Sequence, residues 1–170
     1  MLLLLSKIRL RKNDNLNLCF AGNLNKTTID SVDTPKELTG VNIFAREEAG
    51  LIINSRPRYK MSLTADYTAD RFEIGFYNTL FGKVTVTAPE SGGTDQDLSS
   101  KLITDFRLLY KITPSLNLVG VVNNIFDIYP DVTLASTNTS QAGSRFTYSS
   151  EVQQQGQLGR NFTLGLTYKF

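Results

Sequence analysis

The residues best placed to do chemistry are two pairs of carboxylates, Glu47 with Glu48 and Asp66 with Asp70. Paired carboxylates can divide general acid and general base work when their surroundings push their pKa values apart. Both pairs read better as solvated loop charges. The 170-residue chain holds no histidine and one cysteine, Cys19. That removes the commonest general base, the commonest transition-metal ligand and every Ser-His or Cys-His arrangement. It also removes an internal disulfide and a cysteine metal cluster. The chain is therefore expected not to be an enzyme, with no catalytic residues, no cofactor and no metal. Eighteen Lys+Arg against sixteen Asp+Glu create no field that would draw nucleic acid.

The elements behind these residues show a period of two, the signature of strands with one apolar and one polar face. In 58–67, Tyr59, Met61, Leu63, Ala65 and Tyr67 alternate with Arg58, Lys60, Ser62, Thr64 and Asp66. In 71–87, Phe72, Ile74, Phe76, Leu80, Val84 and Val86 alternate with Arg71, Glu73, Thr79, Lys83 and Thr85. The pattern recurs at 15–26 and 101–111, less cleanly at 116–127, and most clearly at 157–170. Leu2, Leu4, Ile8 and Leu10 alternate with Lys7, Arg9 and Arg11, so the start reads as a strand. A secretion signal would carry its positive residues first and a longer apolar run after them. About eight strands are expected, several of ten or more residues, where soluble strands average about 5–6. No run reaches the ~18 apolar residues of a spanning helix, yet spanning strands need only ~10 with alternate positions apolar.

The connections add a second signal. Short polar turns at 12–14, 68–70 and 113–115 alternate with long segments at roughly 28–56, 89–100 and 129–156. Antiparallel strands then gather all short turns at one end and all long loops at the other, as in outer-membrane barrels with short periplasmic turns and long extracellular loops. Within the first long segment, Thr34 and Pro35 suit the cap and first position of a short helical turn. Tyr67, Phe72, Tyr110, Tyr168 and Phe170 fall near the short-turn end, where an aromatic girdle would sit. Arg58, Lys60, Arg71, Lys83 and Arg107 are expected to face a lumen, pairing with Glu73 and Asp105 or meeting a plug.

Phe162, Leu164, Leu166, Tyr168 and Phe170 occupy every second position and end the chain on an aromatic. This resembles the terminal signal by which outer-membrane barrels are recognised by their insertion machinery. The segment Asn123-Asn124-Ile125-Phe126-Asp127-Ile128-Tyr129-Pro130-Asp131 resembles the Asn-Asn-(Leu/Ile)-Phe-Asp-x-Tyr-Pro stretch near the end of TonB-dependent receptors. In that family it closes the penultimate strand and enters the last extracellular loop. Phe146 and Tyr148, Gly156-Gln157-Leu158-Gly159-Arg160, and Tyr168-Lys169-Phe170 match the stretches that follow it. The likeness is specific over about 101–170, extends to 15–100, where Asn42–Arg46 and Phe81–Lys83 have familiar counterparts, and is weak over 1–12.

The resemblance implies a fold and a place: an all-β, antiparallel transmembrane β-barrel segment in the bacterial outer membrane. It implies part of an active transporter or receptor for a scarce nutrient, such as an iron chelate, driven by TonB. The implied partners are outer-membrane lipid, the barrel insertion machinery, the missing plug and N-terminal barrel strands, and TonB only through the absent N-terminal region. Complete receptors carry a TonB-contacting peptide, a plug and a 22-strand barrel, so residues 1–170 read as the last part of the barrel without its plug, from a fragment or a split reading frame. In such a barrel the Asn-x-Ser/Thr triplets at Asn25, Asn138 and Asn161 are chance matches. Two alternatives stand beside this: a free-standing eight-stranded outer-membrane barrel with a structural or adhesive role, and a soluble lipocalin-like carrier with its apolar face inside.

Overall fold

In the computed structural model, residues 2–11, 14–33, 35–38, 45–88, 93–134 and 147–170 are described. Nine strands are present among them: β1 (Leu2–Arg11), β2 (Asp14–Leu24), β3 (Tyr59–Thr68), β4 (Phe72–Phe81), β5 (Val84–Val86), β6 (Gln96–Leu98), β7 (Lys101–Thr113), β8 (Leu116–Asn123) and β9 (Asn161–Tyr168). Seven form one antiparallel sheet in the order β1-β2-β3-β4-β7-β8-β9, and β5 pairs with β6 as a separate hairpin. The expectation of eight strands is thus corrected to seven plus a two-stranded hairpin. Among the described residues the sheet is open: β1 and β9 are its edges, and no barrel closes.

The short links are 11–14, 68–72 and 113–116, and the long ones are 24–59, 81–101 and 123–161. Short and long connections therefore lie at opposite ends of the sheet, as the spacing predicts. At 68–72, Ala69 donates its N–H to the Phe72 carbonyl at 2.8 Å. At 113–116, the Thr113 hydroxyl accepts the N–H of Leu116 at 3.0 Å, which closes the turn around Pro114.

Register shows how far one face extends. Directly paired residues share a face of a sheet, and the pairing runs Ile8, Leu16, Tyr67, Ile74, Leu108, Gly120, Leu164 across all seven strands. The neighbouring line is polar for most of its length: Asn17, Asp66, Gly75, Arg107, Val121, Thr163. A one-residue slip at any seam would break both lines. The alternation read from the sequence is therefore a property of the whole sheet.

The apolar run at 71–87, expected as one strand, breaks at Gly82. There the chain leaves the sheet, with the Gly82 N–H donated to the Tyr59 carbonyl at 2.9 Å. A Cβ at this position would lie 3.0 Å from both the Tyr59 ring and its carbonyl, so the departure is tight and a larger residue would press on Tyr59. The strand expected at 116–127 ends at Asn123, and the one at 157–170 begins at Asn161.

Beyond the long-connection end of the sheet a small cap forms. It consists of the β5–β6 hairpin, helix α1 (Arg46–Ile53) and a 3-10 segment at Ser150–Gln155. Helix α1 was not expected from the sequence; only a short turn after Pro35 was, and a 3-10 turn is present at Lys36–Leu38, while Thr34 lies outside the described residues. Glu47 and Glu48 occupy the first turn of α1, where carboxylates complement the helix dipole, so they are helical charges and not loop charges. Gly50 lets the helix approach: a Cβ there would lie 2.3 Å from the Thr87 hydroxyl. Arg46 clamps Asp95 with both guanidinium nitrogens, at 2.8 and 2.6 Å, and donates to the Ala88 carbonyl at 2.7 Å. That guanidinium, helped by the Ala88 N–H, holds Asp95 below the usual carboxylate range.

The compact core lies in this cap. Val84, Val86, Leu98 and Val152 form one buried cluster. The cap touches the sheet on its polar face, where Phe81 and Ile103 are buried and Gln155 donates to the Gly82 carbonyl at 3.5 Å. Among the described residues no second layer packs over the apolar face. Among the described residues no helix is long and apolar enough to cross a membrane.

Candidate functional site

The first candidate surface is the apolar face. Leu63, Phe72, Phe76 and Leu102 are each more than two-fifths exposed, and Phe162, Leu164 and Leu166 about seven-tenths. Burying a large apolar side chain is worth ~1.5–3 kcal/mol, and a soluble sheet recovers it by packing against a second layer. Among the described residues this sheet has none. At its short-turn end Phe72 stacks on Tyr110 with centroids 4.8 Å apart, and Tyr168 meets Phe170 edge-on at 5.4 Å, while Phe76 and Phe106 lie at mid-face and Tyr59 and Phe162 towards the other end. The Tyr67 hydroxyl donates to Asp14 at 3.1 Å. Phe162, Leu164, Leu166 and Tyr168 all lie on this face of β9, and the Lys169 N–H still reaches the Ser115 carbonyl at 2.9 Å.

Strand length suits a thin apolar layer. β1, β3 and β4 have 10 residues and β2 has 11. At ~3.4 Å per residue, ten residues tilted by ~45° rise ~24 Å, close to the ~25 Å apolar band of outer-membrane barrels.

The second candidate is the closure at the long-connection end, where the segment singled out at 123–131 falls. It ends β8, the next-to-last strand, and enters the last long connection. Asn123 donates across the pair to Asn161 at 2.7 Å. Asn124, 3% exposed, has φ +52°, a left-handed conformation asparagine tolerates. Its N–H is donated to the Asp105 carboxylate at 2.7 Å, and its side-chain amide grips both the carbonyl and the N–H of Ile128, at 2.7 and 2.9 Å. Asp127, φ +56°, accepts the Arg160 N–H at 2.8 Å. That carboxylate also hydrogen-bonds Tyr129 and pushes its hydroxyl above the ordinary phenol value. Pro130 is buried, Phe126 is exposed, and Tyr129 stacks on Tyr148 at 6.1 Å. Phe146 lies outside the described residues.

The Gly-x-x-Gly-Arg stretch lies against this segment. Gly156 and Gly159 have φ +91° and +66°. A Cβ at Gly156 would sit 2.4 Å from the Ile128 carbonyl, and one at Gly159 2.3 Å from the Tyr129 hydroxyl. Arg160 donates to the Ile125 carbonyl at 3.4 Å. Two sequence segments some thirty residues apart are thus one interlocked unit. Its supporting ring was not read from the sequence: Asp131 accepts Lys101 at 2.7 Å, the Ser99 hydroxyl at 2.7 Å and the Ser99 N–H at 2.5 Å. Burial alone would raise Asp131, but Lys101 and Ser99 outweigh it and hold the carboxyl at about 2.

The polar face carries the third group. Asp66 accepts the Tyr77 hydroxyl at 2.9 Å, across Gly75; it is a strand residue, whereas Asp70 lies in the exposed turn, so the two do not form a loop pair. Glu73 pairs with Lys111 at 3.5 Å. Asp105 accepts the Asn124 N–H, and Lys83 pairs with Asp97 beside the β5–β6 hairpin at 3.3 Å, so Glu73 and Asp105 have other partners than the Arg and Lys residues expected for them. A cavity of about 300 Å³ opens here between Asn17, Asp66, Glu73, Tyr77 and Arg107. Among the described residues no cluster of three or more His, Cys, Asp or Glu is arranged to hold a metal ion. Comparison of the chain with protein-family models, with curated proteins and with solved structures finds no match.

Proposed function

We propose that this chain is a membrane-spanning portion of an outer-membrane β-barrel, and that the barrel belongs to a TonB-driven receptor for a scarce nutrient such as an iron chelate. The observation that carries the membrane part is the seven-strand apolar face, over which no layer packs among the described residues. The receptor part rests on the resemblance over 101–170, supported by the interlocking of 123–131 with 156–160 at the end of the next-to-last strand. In this reading the short turns are periplasmic, the long connections are extracellular, and the cap hangs over the lumen side.

A lipocalin-like carrier would enclose the apolar residues and leave the polar face in water. The cap packs on the polar face, at Phe81 and Ile103, which counts against that arrangement. The free-standing eight-stranded barrel needs a strand more than the seven described in this sheet.

The test is fluorophore labelling along β9. Cysteines introduced one at a time from Phe162 to Tyr168 in a Cys19→Ser chain are labelled and reconstituted in phosphatidylcholine vesicles containing brominated lipid. Strong quenching at Phe162, Leu164, Leu166 and Tyr168, and weak quenching at Thr163, Gly165 and Thr167, is the expected result. Uniform quenching, or a chain that stays folded and monomeric in buffer without detergent, would rule the membrane reading out. Transport is tested separately, by growth on an iron chelate of cells with the full reading frame intact or deleted.

A further inference from the structure

A cavity of about 340 Å³ opens where three segments meet at the long-connection end of the sheet, and its charge is one-sided. Arg56 and Arg58, on the chain entering β3, and Lys83, on the chain leaving β4, line it together with Tyr59, Ser100 and Asn54. The Tyr59 and Ser100 hydroxyls lie 2.9 Å apart, so one donates to the other and the second keeps its proton for a further acceptor. Among the described residues no carboxylate pairs with Arg56 or Arg58 at ion-pair distance. Arg56 acts on Glu151 through its charge alone, and Lys83 meets Asp97 at 3.3 Å.

We propose that this cavity binds a phosphate-type oxyanion, with Arg56 and Arg58 gripping its oxygens and Lys83 and the Tyr59–Ser100 hydroxyl pair completing the shell. The inference goes beyond the membrane reading and does not depend on it. The sequence builds the grip locally. Arg56 precedes Pro57, and proline favours extended backbone in the residue before it. In extended chain, residues two apart share a side, so Arg-Pro-Arg brings two guanidinium forks together. The backbone behind them is tied at three points. Asn25 donates its N–H to the Arg58 carbonyl at 2.9 Å, Gly82 to that of Tyr59 at 2.9 Å, and Thr85 to that of Asn54 at 3.2 Å.

Charge and shape select the ligand. Three cations face one carboxylate at the rim, Asp97, which Lys83 and the Thr85 hydroxyl already hold. A single carboxylate would leave much of that positive charge uncompensated, whereas a phosphate dianion matches it. Guanidinium forks also meet phosphate oxygens two at a time. The volume lies at the small end of the ~300–1,000 Å³ range of ligand pockets, which suits a compact anion. The cavity between Asp66, Glu73 and Arg107 sets two carboxylates against one guanidinium and lacks this balance. Lys83 and Thr85 alternate with Val84 and Val86, which belong to the buried cap core, so the cavity opens on the side of the hairpin away from that core. Tyr59 begins the apolar alternation of β3. The cavity therefore stands at the border of the apolar face and the cap, within reach of dissolved phosphate and, on the membrane reading, of a lipid headgroup.

The test titrates the full chain in nonionic detergent with inorganic phosphate and, separately, with dihexanoyl phosphatidic acid, dihexanoyl phosphatidylcholine serving as the blank. Binding is followed by calorimetry and by phosphorus NMR linewidth. A single saturable site is expected. The double variant Arg56→Gln/Arg58→Gln should weaken it about tenfold or more. Lys7→Gln/Lys26→Gln removes the same charge elsewhere and should change it by less than about twofold. Asp97→Asn takes away the one carboxylate at the rim and should tighten binding by about threefold, a gain that a misfolded chain would not show. Saturation by inorganic phosphate identifies a dissolved anion as the ligand, and saturation by phosphatidic acid alone identifies a headgroup; both uphold the site. Failure of both probes to bind, or equal weakening by the two double variants, would overturn it, and the β9 quenching pattern would still decide the membrane reading by itself.

Discussion

The carboxylate of Asp127 accepts the backbone N–H of Arg160 at 2.8 Å and so ties the chain leaving β8 to the chain entering β9. The bond joins residues 33 apart in sequence, and it sits directly beyond the last β8–β9 pair, Asn123 with Asn161. This junction fixes where β9 starts.

Replacing Asp127 therefore has a graded outcome. Asp127→Asn keeps an acceptor oxygen and tolerates φ +56°, so a loss under about 1 kcal/mol is expected. Asp127→Ala loses the acceptor and adds left-handed strain of roughly 1–2 kcal/mol, for a total of about 2–4 kcal/mol. Urea midpoints in detergent micelles measure the difference. Equal midpoints for the two variants would show that the junction is not fixed by this bond.

The glycines divide sharply. Gly159→Ala places a methyl 2.3 Å from the Tyr129 hydroxyl at φ +66°, and should cost at least the roughly 1–2 kcal/mol of the backbone strain alone. Tyr129→Phe in the same chain removes the nearest atom and should restore part of the loss. Gly120→Ala and Gly165→Ala meet nothing within 4 Å and should be neutral or stabilising by up to about 1 kcal/mol. Thermal midpoints of the four variants check this order.

Two carboxyls give stability opposite pH slopes. Asp131, held at about 2 against burial by Lys101 and Ser99, has a folded pKa below its unfolded value. Its contribution is present above about pH 4 and is lost as pH falls towards 2. Glu151 is raised to about 7, first by burial, with Arg56 opposing and Glu47 adding to the rise. Its contribution is complete below about pH 4.5 and is lost as pH rises through 7. Discounted for partial solvent access, the Glu151 effect is of order 1–2 kcal/mol. Glu151→Gln should flatten the profile between pH 5 and 8, and Asp131→Asn the acid side. A Glu151→Gln profile that still falls on approach to pH 8 would assign the slope elsewhere.

Much of the sheet was legible because register leaves its mark at every second residue: Tyr59 to Tyr67 and Phe162 to Phe170 could only alternate on one face. Connection lengths fixed which end each turn occupies. The break at Gly82 was hidden because Val84 and Val86 keep the period of Leu80 while serving a different core, and α1 was hidden because its eight residues carry only a weak apolar stripe. The closure was legible as a motif but not as geometry. Asn124 and Asp127 look like ordinary turn residues until their positive φ values and their partners, Asp105 and Arg160, are placed beside them. Asp131 with Lys101 depends on contacts that no spacing in the sequence displays.

Phe76 and Phe106, centroids 5.1 Å apart on the middle of the apolar face, offer the sharpest separation of lipid from water. On the membrane reading Phe76→Arg sets a cation against hydrocarbon near mid-depth, at about 2–4 kcal/mol. Thr64→Arg, on the opposite face and directly paired with Tyr77, leaves its charge on the wet side and should cost under about 1 kcal/mol, like other surface changes. The quantity to measure is the fraction of chain that floats with phosphatidylcholine vesicles in a sucrose gradient: Phe76→Arg should lower it severalfold, while Thr64→Arg leaves it near the parent value. If the two substitutions behave alike, or if Thr64→Arg is the more damaging, then the exposed aromatic face does not meet lipid and the sheet must be covered by protein instead.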